Sequence, residues 1–293
     1  MPLAVLVSRM ASPSPLISTT ELADRLGEPA LRIVDASWHL DGRDSRADFE
    51  QARIPGALFF DLDAVSDHTT DLPHMLPTAA AFAEAVGAMG IAETDTVVVY
   101  DTLGLVSAAR VWWMFRVMGA TDVRVLDGGL PQWRAEGRPV DTGPAPLPSQ
   151  APFEARLDPT AVATRADIAG VSRTGDQILD ARSAGRFAGT APEPRPGLRG
   201  GHMPGAQSLP FVALLNPDST LKRGHALEAA FADAGIDAAR PVITTCGSGV
   251  TAAILTLGLA ELGRPSRLYD GSWAEWGGRD DTQVITAAVG PAG

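Results

Sequence analysis

Val242-Ile243-Thr244-Thr245-Cys246-Gly247-Ser248-Gly249-Val250-Thr251 runs without a break into Ala252-Ala253-Ile254-Leu255-Thr256-Leu257-Gly258-Leu259-Ala260. The short β-branched start reads as a buried parallel strand, and the apolar run behind it is long enough for a helix. The chain's single cysteine therefore falls on a strand-to-helix turn. Gly247 and Gly249 let that turn curl tightly, so that successive amide N–H groups converge beside the positive end of the helix. An anion belongs there, and Cys246 can supply it, because a thiol at a helix N-terminus is drawn toward thiolate. A lone cysteine is more often an inert buried residue. The glycine-rich turn and the helix start decide against that here.

The same alternation extends through the chain and predicts an α/β fold with parallel strands. Leu31 to Asp35, Ala57 to Asp61, Thr96 to Asp101 and Val123 to Asp127 read as strands, and Ala79 to Met89 and Ser107 to Met118 as helices. The second half repeats the first in order. Ile178-Leu179-Asp180-Ala181-Arg182 echoes Ile33-Val34-Asp35-Ala36-Ser37, and His202-Met203-Pro204-Gly205-Ala206 echoes Arg53-Ile54-Pro55-Gly56-Ala57. Gly235-Ile236 echoes Gly90-Ile91, while Tyr269-Asp270-Gly271-Ser272 and Trp276 echo Leu126-Asp127-Gly128-Gly129 and Trp133. The expected organisation is a first domain over residues 1–140, a linker over 141–160 within a Pro- and Gly-rich stretch, and a second domain over 161–293. The duplication places Asp101 opposite Cys246, so only the second copy carries a nucleophile. The first copy then serves as a scaffold that lends side chains across the interface, a common place for ligand sites.

A chain of 293 residues is long enough for two such domains. One cysteine excludes an internal disulfide framework and a cysteine-built metal site, and fits a reducing, cytoplasmic setting. The formal net charge of −11 argues against broad nucleic-acid or anionic-membrane binding. An anionic substrate must then be drawn by a local basic pocket. Met1 to Met10 is apolar but lacks the leading charges of a secretory signal and is too short to span a bilayer. It leads into Ser18-Thr19-Thr20-Glu21, which reads as a helix cap.

Two tandem copies, the turn Cys246-Gly247-Ser248-Gly249-Val250-Thr251 in the second only, Asp180 to Phe187 with Glu193-Pro194-Arg195, and Gly201 to Ala206 together resemble the two-domain rhodanese superfamily. The loop composition is similar to its 3-mercaptopyruvate sulfurtransferase branch. The resemblance covers nearly the whole chain and implies two rhodanese-like domains, each a central parallel sheet flanked by helices. It also implies sulfur transfer through a Cys246 persulfide, with no metal and no organic cofactor. The acceptor it implies is a thiol, a thioredoxin-type dithiol or cyanide.

The residues make chemical sense of that implication. A persulfide needs a cradle, which the amides of Gly247, Ser248, Gly249, Val250 and Thr251 can provide, and an anionic donor needs counter-charges. Arg186 and Arg195 are the candidates, since guanidinium groups grip carboxylates bidentately; the resembled branch uses arginines at these two places. Arg182 and Arg199 read as structural. Thiosulfate-using rhodaneses carry bulky positive side chains on the turn, whereas the side chains here are neutral and Ser248 can pass a proton. The branch places a Ser-His-Asp relay at positions matching Ser248, His74 and Asp63, with Asp61, His68 and Asp71 as decoys. Trp112, Trp113, Phe115 and Met118 are expected in the core.

Rival readings are a thiosulfate:cyanide sulfurtransferase and a non-enzymatic sulfur carrier or interaction module. A Cys-turn phosphatase wants an arginine six residues after the nucleophile, where Ala252 stands. A serine hydrolase wants a Gly-x-Ser-x-Gly elbow, which is missing.

Overall fold

The computed structural model describes residues 14–145, 149–237 and 239–286; the N-terminal Met1 to Met10 lies outside them. In the first half the elements are β1 (Leu16–Ile17), α1 (Thr19–Asp24), β2 (Leu31–Asp35), α2 (Ser45–Gln51), β3 (Leu58–Phe59), α3 (Ala79–Ala88), β4 (Thr96–Tyr100), α4 (Ala108–Val117), β5 (Asp122–Leu126) and α5 (Gly129–Ala135). The second half holds β6 (Val162–Ala163), α6 (Arg165–Thr174), β7 (Gln177–Asp180), α7 (Ala184–Ala188), β8 (Ala206–Ser208), α8 (Gly224–Asp233), β9 (Val242–Thr245), α9 (Ala252–Glu261), β10 (Arg267–Tyr269) and α10 (Ser272–Trp276).

Each half builds a five-stranded sheet, in the orders β1-β5-β4-β2-β3 and β6-β10-β9-β7-β8. Every pairing between these strands is parallel. Numbered within its own half, the two orders are the same, so the repeat read from landmarks is a repeat of topology. Parallel strands need helical crossovers and are buried on both faces, which is why β4 and β9 are continuous β-branched runs. Helix α1 starts as the sequence suggests: the Ser18 hydroxyl accepts the Glu21 amide at 3.1 Å and satisfies one of the free donors of the first turn.

Helix α4 of the first half packs against α9 of the second, and one apolar cluster runs through both, joining Trp112, Trp113 and Phe115 to Ile254, Leu255 and Leu257. The segment between the halves is fastened to the first. The Ala151 amide donates to Gly87 O at 3.0 Å and the Arg156 amide to Met118 O at 2.9 Å. Phe153 inserts edge-on against Phe82 and Phe115, with ring centroids 5.6 and 6.2 Å apart. A side chain at Gly87 would stand 2.7 Å from Ala151 O, so the strap can cross α3 only over a glycine. None of the described helices is long and apolar enough to cross a membrane.

Candidate active site

Strand β9 delivers Cys246 to the carboxyl edge of the second sheet, where ligand sites of open parallel sheets form. The carbonyls of Cys246 and Gly247 accept the amides of Trp273 and Ala274 at 2.9 and 2.8 Å, which ties the start of the turn to α10. None of the amides of residues 247–251 donates to an acceptor among the described residues. Five donors are thus left open around a free, buried thiol. Gly249 sits at φ +79°, and a side chain there would meet the Arg110 Nη1 at 2.9 Å.

The first half shows what such a turn holds. At the position corresponding to Cys246, the Asp101 carboxylate accepts the amides of Leu103, Val106 and Ala108 at 2.9, 2.7 and 2.9 Å. One cradle is filled by its own fixed anion; its copy is open above a sulfur.

Ser248, His74 and Asp63 are brought into line. His74 Nδ1 lies 3.0 Å from the Ser248 hydroxyl, and His74 Nε2 lies 3.1 Å from Asp63 Oδ1. The other Asp63 oxygen accepts the Trp38 indole N–H at 3.1 Å. Trp38 also sets its ring edge-on to the imidazole, with centroids 4.7 Å apart. The bond from His74 is the largest influence holding the Asp63 carboxyl below the ordinary carboxylate range, against a counter-effect from burial. The decoys go elsewhere. Asp61 caps a turn through the Ala64 amide at 3.0 Å, His68 faces Ala64 O at 3.4 Å, and Asp71 is exposed.

Arg186, on α7, is gripped by Glu193 at 2.5 Å, and its Nη2 would stand 2.8 Å from a side chain at Gly247. Its position beside the turn is therefore fixed from behind. Arg195 forms no ion pair among the described residues. Burial lowers its pKa most, the thiolate of Cys246 pulls it back up, and Arg186 pushes it down again, with a net downward shift. Arg186 shares the Glu193 carboxylate with Arg182, and Arg195, which feels Asp63 and Glu193 without pairing to either, adds a second guanidinium near the sulfur in a molecule that is acidic overall. Arg182 is buried between Asp180 and Glu193, each at 2.7 Å, and Arg199 donates to Gly277 O and Thr282 O at 3.1 and 3.0 Å; both are structural. Trp112, Trp113, Phe115 and Met118 are buried in the core.

Sequence reasoning missed Trp38, Arg110, Asp270 and Ser272. Ser272, at φ +47°, accepts the Cys246 amide at 3.4 Å and donates to Tyr269 O at 2.8 Å. The one legible signal was Arg110, a charge set among the apolar residues of α4 in its first turn, fully buried in the structure. No group of three or more His, Cys, Asp or Glu side chains is placed to hold a metal among the described residues.

Comparison with known proteins agrees with this architecture. The rhodanese-like domain model matches residues 18–136 and again 165–279. The human 3-mercaptopyruvate sulfurtransferase is 44% identical over 87% of this chain and 87% of its own length. The Arabidopsis thaliana mitochondrial thiosulfate/3-mercaptopyruvate sulfurtransferase 1 is 42% identical over 94% of this chain and 79% of its own length. The crystal structure of the 3-mercaptopyruvate sulfotransferase SseA from Escherichia coli superposes with a TM-score of 0.81 at 38% identity, covering 89% of this chain and 99% of that one.

Proposed function

Because this chain belongs to the family of rhodanese-like domain proteins and is a sulfurtransferase, we propose that it takes sulfur from 3-mercaptopyruvate and passes it on through Cys246. The observation that carries the reading is the pair of guanidiniums, Arg186 and the unpaired Arg195, placed outside a turn whose own side chains are neutral. A small dianion is best met by positive charge on the turn itself. A keto acid with one carboxylate is best met by charges set back from it, one for the carboxylate and one for the carbonyl oxygen.

The reaction follows in two halves. The Cys246 thiolate attacks the sulfur of 3-mercaptopyruvate, an S–S bond forms, and the C–S bond breaks with its electron pair going to the carbon. Arg186 and Arg195 hold the carboxylate and the carbonyl oxygen on which enolate charge collects. The proton of the substrate thiol passes by way of Ser248, oriented by His74 and Asp63, to the enolate carbon, and pyruvate leaves. The outer sulfur of the Cys246 persulfide then rests, as an anion, among the open amides. An acceptor thiol attacks that sulfur, becomes a persulfide itself and returns Cys246 as thiolate. A thioredoxin-type dithiol, a small thiol or cyanide fits the acceptor role, and the first half takes no covalent part. The lone cysteine and acidic surface favour a cytoplasmic setting.

The double name of the Arabidopsis relative supports thiosulfate as a second donor. Steady-state kinetics with both donors under identical conditions, with intact-mass detection of one added sulfur on Cys246, test the reading. We expect the larger kcat/KM with 3-mercaptopyruvate and a single sulfur adduct that Cys246→Ser abolishes. A protein that never acquires the sulfur from either donor would end the proposal, and a preference for thiosulfate would reverse the donor assignment.

A further inference from the structure

We propose that Arg110 is a positioning residue for this reaction, acting with Asp270 to hold the His74 ring on Ser248; the inference rests on the relay read above. His74 adopts φ +59°, a left-handed conformation that a residue with a side chain keeps only where its surroundings over-determine it. The surroundings here are one buried ion pair across the boundary between the halves. Arg110, from α4, donates to the His74 carbonyl oxygen and makes a 2.7 Å charge contact with Asp270. The second Asp270 oxygen accepts the Leu76 amide at 2.7 Å. Both ends of the His74 to Leu76 segment are thereby fastened to a single carboxylate that follows β10 in the second half.

The same guanidinium also touches the cysteine turn. Its Nη1, which has no hydrogen-bond acceptor among the described residues, lies where a side chain on Gly249 would come within 2.9 Å. From below, the Trp113 ring supports it at 4.6 Å. Arg110 therefore fixes the distance between the backbone that carries His74 and the turn that carries Ser248. A pair that served only as glue between halves would have no reason to end on the carbonyl of the relay histidine.

The test is a cycle between this pair and His74. Arg110→Met with Asp270→Leu removes both charges and keeps much of their volume, a replacement that buried ion pairs commonly tolerate. In the wild-type background we expect kcat with 3-mercaptopyruvate to fall roughly 10- to 100-fold, the range a displaced catalytic group costs, with KM little changed because Arg186 and Arg195 are untouched. In the His74→Ala background the same pair should cost less than about twofold more. Equal losses in both backgrounds would overturn the proposal. If the paired variant does not fold, Arg110→Lys keeps the buried charge but loses the fork that reaches His74 O, and its loss should again be confined to proteins that retain His74.

A readout independent of turnover separates this inference from the donor assignment. The Trp38 ring, edge-on to His74 with centroids 4.7 Å apart, is expected to shift the His74 ring resonances, which are identified by their loss in His74→Ala. They should move toward free imidazole positions in the paired variant. Unchanged resonances would overturn the positioning role even in a protein that proved inactive toward 3-mercaptopyruvate.

Discussion

Gly247 and Gly249 stand two residues apart on the same turn and exclude side chains for different reasons. At Gly247 an added methyl would meet Arg186 Nη2 at 2.8 Å, the far end of a partly exposed side chain that can shift by loosening its hold on Glu193. Gly247→Ala should therefore raise KM for 3-mercaptopyruvate, since a gripping charge is displaced, while kcat and thermal stability change little. At Gly249 the backbone is left-handed and the obstacle is Arg110, buried and held. Gly249→Ala should cost about 1–2 kcal/mol for the backbone alone and lower kcat as well, because the turn and the Arg110 contact shift together. Kinetics and melting curves on the two variants check the contrast; similar effects at both positions would mean that the turn is limited by backbone freedom only.

At the scale of elements, the two strand-to-helix turns form a natural control. Asp101 is satisfied by three amides of its own turn, and hydrogen bonds to a charged group contribute about 1.5–3 kcal/mol each. Asp101→Ala is expected to destabilise the protein by at least about 3 kcal/mol, seen as a lower denaturation midpoint, yet to leave kcat/KM intact at temperatures where the protein remains folded. The neighbouring strand end predicts a pH effect. Burial raises the Asp35 carboxyl to about 6, against opposing hydrogen bonds from Ser37. Between its ordinary value near 3.9 and about 6 the folded protein binds a proton that the unfolded chain has released. The contribution is present in full below about 3.9 and is lost as pH rises toward 6, a change of about 3 kcal/mol. Asp35→Asn should flatten the stability profile in that window, as urea midpoints measured from pH 4 to 7 would show; an unchanged slope would place the titration elsewhere.

The elements also show what sequence could convey. The long β-branched runs of β4 and β9 and the helices behind them were legible because a strand buried on both faces has to be apolar throughout. The strand read over Ala57 to Asp61 is ordered as β3 only at Leu58–Phe59, since an edge strand pairs on one side alone. β1 and β6 span two residues each, too few for any periodicity. Cys246 and its glycines announced themselves through local geometry, and Arg186 and Arg195 through motif. His74 and Asp63 came from resemblance alone, because no spacing rule joins Ser248 to a residue 174 positions away. Trp38 and Asp270 carried no local signal, as their roles exist only once the two halves meet.

At the scale of the molecule, that meeting makes the two halves one unit. Every residue of α9 from Ala252 to Leu259 is buried, and part of that burial is provided by α4 of the first half. Separated from it, residues 161–293 would expose an apolar helix face together with the unpaired Asp270. The chemistry is divided in the same way, with Cys246 and Ser248 on one half and His74 and Asp63 on the other. Calorimetry should therefore show one unfolding transition for the whole chain, with loss of sulfur transfer tracking it, and the expressed 161–293 fragment should bind hydrophobic dye and remain inactive even with its cysteine in place. Two resolved transitions, with turnover surviving the first, would mean that the second half holds its turn without help and that the shared core is a contact rather than a condition of folding.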